Sequence, residues 1–159
     1  MKAIINIQFQ LIDLFQGNNQ IRSYPISSAK NGVGQEINSL RTPLGKHIIR
    51  AKIGAGEPLN TVFKGRRPTG QIYTPDLGVR FPGSDWILTR ILWLSGCEKG
   101  FNRLGSVDTM RRYIYIHGTP DSTEIGKPGS IGCIRMFNNH LLELFDLIEI
   151  GAEVNIVEQ

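Results

Sequence analysis

Apolar and polar residues alternate in short runs along much of this chain. Ile5, Ile7, Phe9 and Leu11 share one parity while Asn6, Gln8 and Gln10 take the other, which predicts a half-buried strand or strand pair over residues 3–15. Gly17-Asn18-Asn19 is a turn signal, so residues 21–26 read as a returning hairpin strand and the first forty residues as a β-meander. Thr42-Pro43 and Gly45 mark a further turn before a strand over 47–53. Residues 86–94, WILTRILWL, form the strongest apolar run; only Thr89 and Arg90 interrupt it, which predicts a central strand buried on both faces. Residues 111–116 alternate again, with Tyr113, Tyr115 and His117 on one face and Ile114 and Ile116 on the other.

Two segments break the strand pattern. Residues 54–85 carry four prolines and no sustained apolar period, a length that points either to a lid or binding loop or to an extra surface hairpin. Near the C-terminus, Leu141, Leu144, Phe145 and Ile148 recur at helical spacing, predicting one helix at about 140–148. Asn138 and Asn139 are its expected N-caps, and His140 is read as capping or solvent-facing. Gly151 closes the helix, and residues 152–157 alternate as a last strand.

Composition narrows the class. The 159 residues suit one domain with its own core, and the 18 glycines and 8 prolines favour a mainly β fold over a helical bundle. The net charge of +4 suits an anionic partner, but the basic residues are scattered without interleaved aromatics, so no nucleic acid is expected. No apolar run reaches the length of a membrane span, and Asn6, Gln8, Gln10 and Asp13 interrupt any signal-peptide core, so no export signal is visible. Two cysteines without a CxxC pair and three dispersed histidines support neither a disulfide framework nor a metal site. Pairing of Cys97 with Cys133 is left open, and Cys97 is read as a small buried or loop-lining residue.

The chemistry concentrates between Tyr113 and Met136. His117 ends a strand, and a loop rich in glycine and proline leads from it to Cys133. A cysteine needs a base or a nearby cation to become a nucleophile, and a histidine across such a loop can serve. Gly129 and Gly132 let main-chain N–H groups approach a ligand, as an oxyanion site requires. Arg135 shares a face with Cys133 if the segment is extended, and offers a bidentate clamp for a substrate carboxylate.

The HGT of residues 117–119 followed by SIGCIRM resembles the signature of the L,D-transpeptidases, bacterial enzymes that cross-link peptidoglycan through a cysteine. YPISSAKNG, TPLGKH and ILWLSGCEKGFNR are similar to other parts of that family, so the likeness spans nearly the whole chain. The resemblance implies a β-sandwich of mixed sheets and one catalytic domain over 1–159. It implies Cys133 as nucleophile, His117 as base and Gly118 beside it, where a backbone carbonyl orients the imidazole. Ser130, Gly132 and Arg135 would complete the pocket. Ile131 departs from the pattern: the family commonly has histidine there. The implied partners are peptidoglycan stem peptides in the periplasm or cell envelope, with no metal or other cofactor and a monomeric protein. Two alternatives stand beside this: a non-catalytic peptidoglycan-binding domain, and a cysteine amidase or peptidase of other specificity.

Overall fold

A computed structural model describes all of residues 1–159. Ten strands are present: β1 Lys2–Asn6, β2 Leu11–Gln16, β3 Asn19–Ser27, β4 Gly45–Ile53, β5 Thr61–Lys64, β6 Arg67–Ile72, β7 Ile87–Gly96, β8 Tyr115–Gly118, β9 Ile134–Met136 and β10 Glu153–Val157. Two helices join them, α1 Pro75–Arg80 and α2 Asn138–Leu147. The fold is mainly β, with a mixed sheet and a C-terminal helix. The two walls of the sandwich belong to one sheet, in the order β4-β10-β1-β2-β3-β9-β8-β7, and β7 pairs back onto β4 to close it. Closure leaves these strands without a free edge, while the β5–β6 hairpin extends outward from the start of β7.

Apolar side chains from the strands fill the interior: Ala3 and Ile5, Ile12 and Leu14, Leu92 and Leu94, Ile116, Ile134 and Met136. Leu141, Leu144 and Phe145 of α2 and the following Ile148 cover one side of this core. Burying each large side chain contributes roughly 1.5–3 kcal/mol, so the closed sheet is a firm frame for what it carries.

The N-terminal strands show why alternation alone misleads. The run over 3–15 is a strand pair interrupted by a turn at 7–10, and the buried parity switches from odd (Ala3, Ile5) to even (Ile12, Leu14). Phe9 therefore lies 64% exposed instead of on the buried face. Within that turn Gln10 takes a φ of 52°, and its side chain bonds Ser28 from both amide atoms.

The strand expected over 111–116 begins only at Tyr115. Asp108 accepts from the N–H groups of Leu104 and Arg111, and Tyr113 adopts a φ of 57°, so residues 111–113 are turn. The segment 54–85 holds the β5–β6 hairpin and α1, as the surface-hairpin reading expected, and several of its residues border the cavities described below.

Neither asparagine caps α2. Phe137 holds the cap position, Asn138 is the first helical residue, and its side chain turns inward. His140 lies between the rings of Tyr24 and Phe137, tilted against the first at 5.2 Å and edge-on to the second at 5.6 Å, so it neither caps the helix nor faces solvent freely. Cys97 is exposed in the loop directly after β7 and both thiols are free, so it follows the loop reading rather than the buried one and does not pair with Cys133.

Candidate active site

β8 and β9 run parallel and adjacent, with His117 opposite Arg135 and Gly118 opposite Met136. Adjacent parallel strands need a long crossover, here residues 119–133. That requirement explains the distance between HGT and GCIRM: the crossover returns Cys133 to the start of β9, beside the strand carrying the histidine. Ile114, Ile116 and Ile134 point into the main core, whereas Tyr115 and Cys133 pack with Phe63 and Ile91 on the opposite face. By the two-residue period, His117 and Arg135 share that second face.

His117 is completely buried. Its Nδ1 lies 2.6 Å from the carbonyl oxygen of Gly118, which can only accept, so Nδ1 carries the proton. Nε2 then holds the free lone pair, and it has no partner. Burial pushes the imidazole pKa down, against the opposing pull of Asp85 and the Gly118 carbonyl, and keeps the ring neutral at rest.

The glycine at 118 is required by close approach. A Cβ there would meet the side-chain oxygen of Asn138 and the carbonyl of Leu88. Asn138 is the residue that the sequence reading missed. Its amide donates to the Thr119 carbonyl at 2.8 Å and to Asn60 at 3.1 Å, while its oxygen accepts from Thr89 at 2.6 Å. It thereby secures the backbone immediately after the histidine. The only trace in the sequence is a polar residue at the inward side of an amphipathic helix.

Cys133 is 9% exposed. Sγ accepts from the Tyr115 N–H at 3.3 Å and donates to the Tyr113 carbonyl at 3.4 Å. Burial pushes its pKa up to about 12, Asp85 adds to the rise, and the Tyr115 N–H, Arg112 and Arg135 oppose it. The resting sulfur is thus a protonated thiol bonded to backbone rather than to His117.

The loop before it is held by Ser130, whose hydroxyl donates to the Cys133 carbonyl at 2.6 Å and accepts from the Gly132 N–H at 3.2 Å. Ser130 is therefore turned into the loop and away from the cavity. Gly132 sits at φ 135°, a region that favours glycine, and its carbonyl accepts from Thr42 at 2.9 Å. The Cys133 N–H donates to no protein acceptor.

Two cavities flank the strands. One, of about 460 Å³, is bordered by Cys133, Tyr113, Ile131, Arg66 and Arg112. The other, of about 470 Å³, is bordered by Arg135, Trp86, Thr119 and Ser122. Asp85 borders both. Arg135 donates to Ser27 at 2.9 Å, but its buried Nε is unpartnered. Ile131 is 55% exposed at the rim of the Cys133 cavity.

The closed mixed sheet presents a cysteine and a neutral buried histidine on one face, the two residue types that thiol-dependent catalysis draws on. Residues 2–156 match the L,D-transpeptidase catalytic domain (YkuD), and the chain belongs to that family. A curated relative from Fuscovulum blasticum, named for L,D-transpeptidase and for the ATP synthase subunits region, is 43% identical over 42 residues, 26% of this chain and 22% of its own length. A second, from Bacillus licheniformis and named L,D-transpeptidase YkuD, is 44% identical over 46 residues, 29% of this chain and 28% of its own. The matches thus span less than a third of either relative. An L,D-transpeptidase structure from Mycobacterium smegmatis superposes with a TM-score of 0.57 at 17% identity, covering 98% of this chain and 57% of that one, and shows the shared fold. No helix is long and apolar enough to cross a membrane. Family membership supports cysteine-dependent L,D-transpeptidase chemistry at that general level.

Proposed function

We propose that the protein is a peptidoglycan L,D-transpeptidase with Cys133 as nucleophile and His117 as base. One observation carries the reading: a buried, neutral His117 whose Nδ1–H is committed to Gly118, leaving Nε2 unpartnered on the face that holds Cys133. Substrate displaces the thiol from the Tyr113 carbonyl, and Nε2 takes its proton. Bonds of this kind are long in the empty site and tighten with substrate.

Sγ then attacks the carbonyl between an L-configured diamino-acid centre and terminal D-alanine. A C–S bond forms, and the Cys133 N–H receives the oxyanion. Arg135 holds the terminal carboxylate through its spare donors. The His117 imidazolium returns the proton to the departing amine, the C–N bond breaks, and D-alanine leaves a thioester. An amine of a second stem resolves the thioester to a cross-link, or water resolves it to a shortened stem. Ser130 and Gly132 act by shaping the loop. The chain acts as one catalytic domain, as a monomer in the cell envelope, with no cofactor in any step.

The test is intact mass after exposure to a carbapenem, a class that acylates the cysteine of this family. Wild type gains one adduct, Cys133→Ala gains none, and His117→Ala acylates about 10²–10⁴-fold more slowly, the usual share of a general base. An adduct on Cys133→Ala, or none on wild type, overturns the reading.

A second reading, a domain that binds peptidoglycan without turnover, is favoured by the pKa of about 12 at Cys133 together with Ile131 in the place of histidine. Stem-peptide binding by a wild type that never forms an adduct would establish it.

A further inference from the structure

The turn between β5 and β6 runs against the preference of its own backbone. Gly65 and Arg66 both have positive φ, 56° and 64°, as a two-residue hairpin turn of this hand requires. Glycine or asparagine fits the second of these positions without strain, whereas a long side chain there is disfavoured. Here that position holds arginine.

The side chain it carries is held firmly. The guanidinium lies 5.0 Å from the Trp93 ring and 4.7 Å from the Tyr113 ring, and its Nη1 donates to the Tyr115 hydroxyl at 3.0 Å. Stacking on flat rings immobilises the planar fork and leaves most of its five N–H donors unused. Arg66 takes part in none of the protein's ion pairs. It borders the cavity that Cys133 opens into.

Arg112 borders the same cavity, but its terminal N–H groups go to the carbonyls of Gly34, Gln35 and Arg41 and to Ser39. It contributes charge with few free donors. Arg111 lies on that wall as well, and Asp85, its only acidic residue, pairs with none of the three arginines. The cavity is therefore electropositive, with one rigid, donor-rich fork facing it. Such a fork matches the two oxygens of a carboxylate.

We infer that Arg66 is a specificity residue. It receives a free side-chain carboxylate on the peptide residue whose carbonyl Cys133 attacks, so stems with that carboxylate free are preferred to stems in which it is amidated. The identity of the peptide rests on the proposed function. The opposite cavity, with Arg135, takes the leaving side.

Binding to Cys133→Ala tests this without chemistry. Two synthetic tetrapeptide stems, alike except that one carries the side-chain carboxylate and the other its amide, are titrated by calorimetry. The free acid should bind about 10- to 100-fold more tightly, the range of a charge-assisted pair. Adding Arg66→Asn, which suits the left-handed turn, should remove that preference by weakening the acid alone, with the amide unchanged within about two-fold.

Equal weakening of both peptides would make Arg66 a structural residue only and overturn the inference. Failure of the free acid to bind Cys133→Ala would overturn it as well. Wild-type turnover is read separately. Discrimination in binding without thioester formation would keep the role of Arg66 and sink the role of Cys133.

Discussion

The Nδ1–H of His117 donates to the carbonyl of Gly118, its neighbour in the chain, at 2.6 Å. This bond selects the tautomer, and the backbone that supplies its acceptor packs against Asn138 and Leu88 with no room for a Cβ at 118. Gly118→Ala would drive a methyl group into the Asn138 oxygen and the Leu88 carbonyl. The expected cost is about 1–3 kcal/mol in urea unfolding, typical of overpacking, with loss of carbapenem acylation. A variant as stable and as reactive as wild type would remove this account of the glycine.

Asn138 supports the same backbone from the helix side. Asn138→Ala strands the Thr119 carbonyl and the Thr89 hydroxyl in the interior. Each unsatisfied buried group costs about 1–3 kcal/mol, so a loss of roughly 2–4 kcal/mol is expected in denaturant unfolding. A change under about 0.5 kcal/mol would place the amide outside the load path, at the level of ordinary surface substitutions.

The two thiols should differ sharply in alkylation. Cys97 is exposed and reacts early with iodoacetamide. Cys133, at about 12, holds on the order of 10³-fold less thiolate than a free cysteine at neutral pH. Its labelling should be slow at pH 7.5 and rise about tenfold per pH unit up to pH 10, as followed by peptide mass spectrometry. Equal rates for the two cysteines at pH 7.5 would contradict the burial of the thiol.

Ile131 lies at the rim of the Cys133 cavity and is more than half exposed, so Ile131→His should change stability by no more than about 0.5 kcal/mol. It adds a titrating group beside the nucleophile, and the acylation rate should rise with a new limb in its pH profile near 6.5. An unchanged profile would mean that the isoleucine is not what limits the thiol.

Stability should fall in mild acid through His47. Burial holds its folded pKa at about 4, with Nε2 beside the Thr109 hydroxyl at 2.9 Å and Nδ1 beside the Gly45 carbonyl at 2.9 Å. Unfolding frees the imidazole to its ordinary value near 6.5, so the unfolded chain binds an extra proton between those two values. The stabilisation is complete above pH 6.5 and declines as pH falls to 4, by about 3 kcal/mol at ~1.4 kcal/mol per unit. His117, also held low by burial, acts in the same direction. His47→Gln should reduce the slope of the unfolding free energy between pH 4 and 6.5, leaving the parts from His117 and, toward pH 4, from Glu143, whose carboxyl is held low by its hydrogen bonds from Tyr24 and Arg22. A slope equal to that of wild type would refute the assignment to His47.

Local rules reached far along this chain. Residues 86–94 are apolar on both faces because β7 pairs with β4, β5 and β8 and is enclosed on both sides. The helical period of Leu141, Leu144 and Phe145 located α2 to within a residue or two. The misses have a common cause. At residues 7–10 a turn reversed the parity of a run that looked continuous, and at 138 tertiary hydrogen bonds outweighed the preference of asparagine for a cap.

The sequence by itself determined the elements, the thiol and imidazole, and the family, because period, turn chemistry and motif are written in neighbouring residues. Only the tertiary structure decided which groups meet. The parallel pairing of β8 with β9 puts Cys133 on the face of His117, and sheet closure buries both, raising one pKa and lowering the other. The β5–β6 hairpin brings Arg66 onto Tyr113 and Tyr115, the latter 49 residues away along the chain. Desolvation and long-range charge depend on what the folded chain places nearby, and no local pattern encodes that.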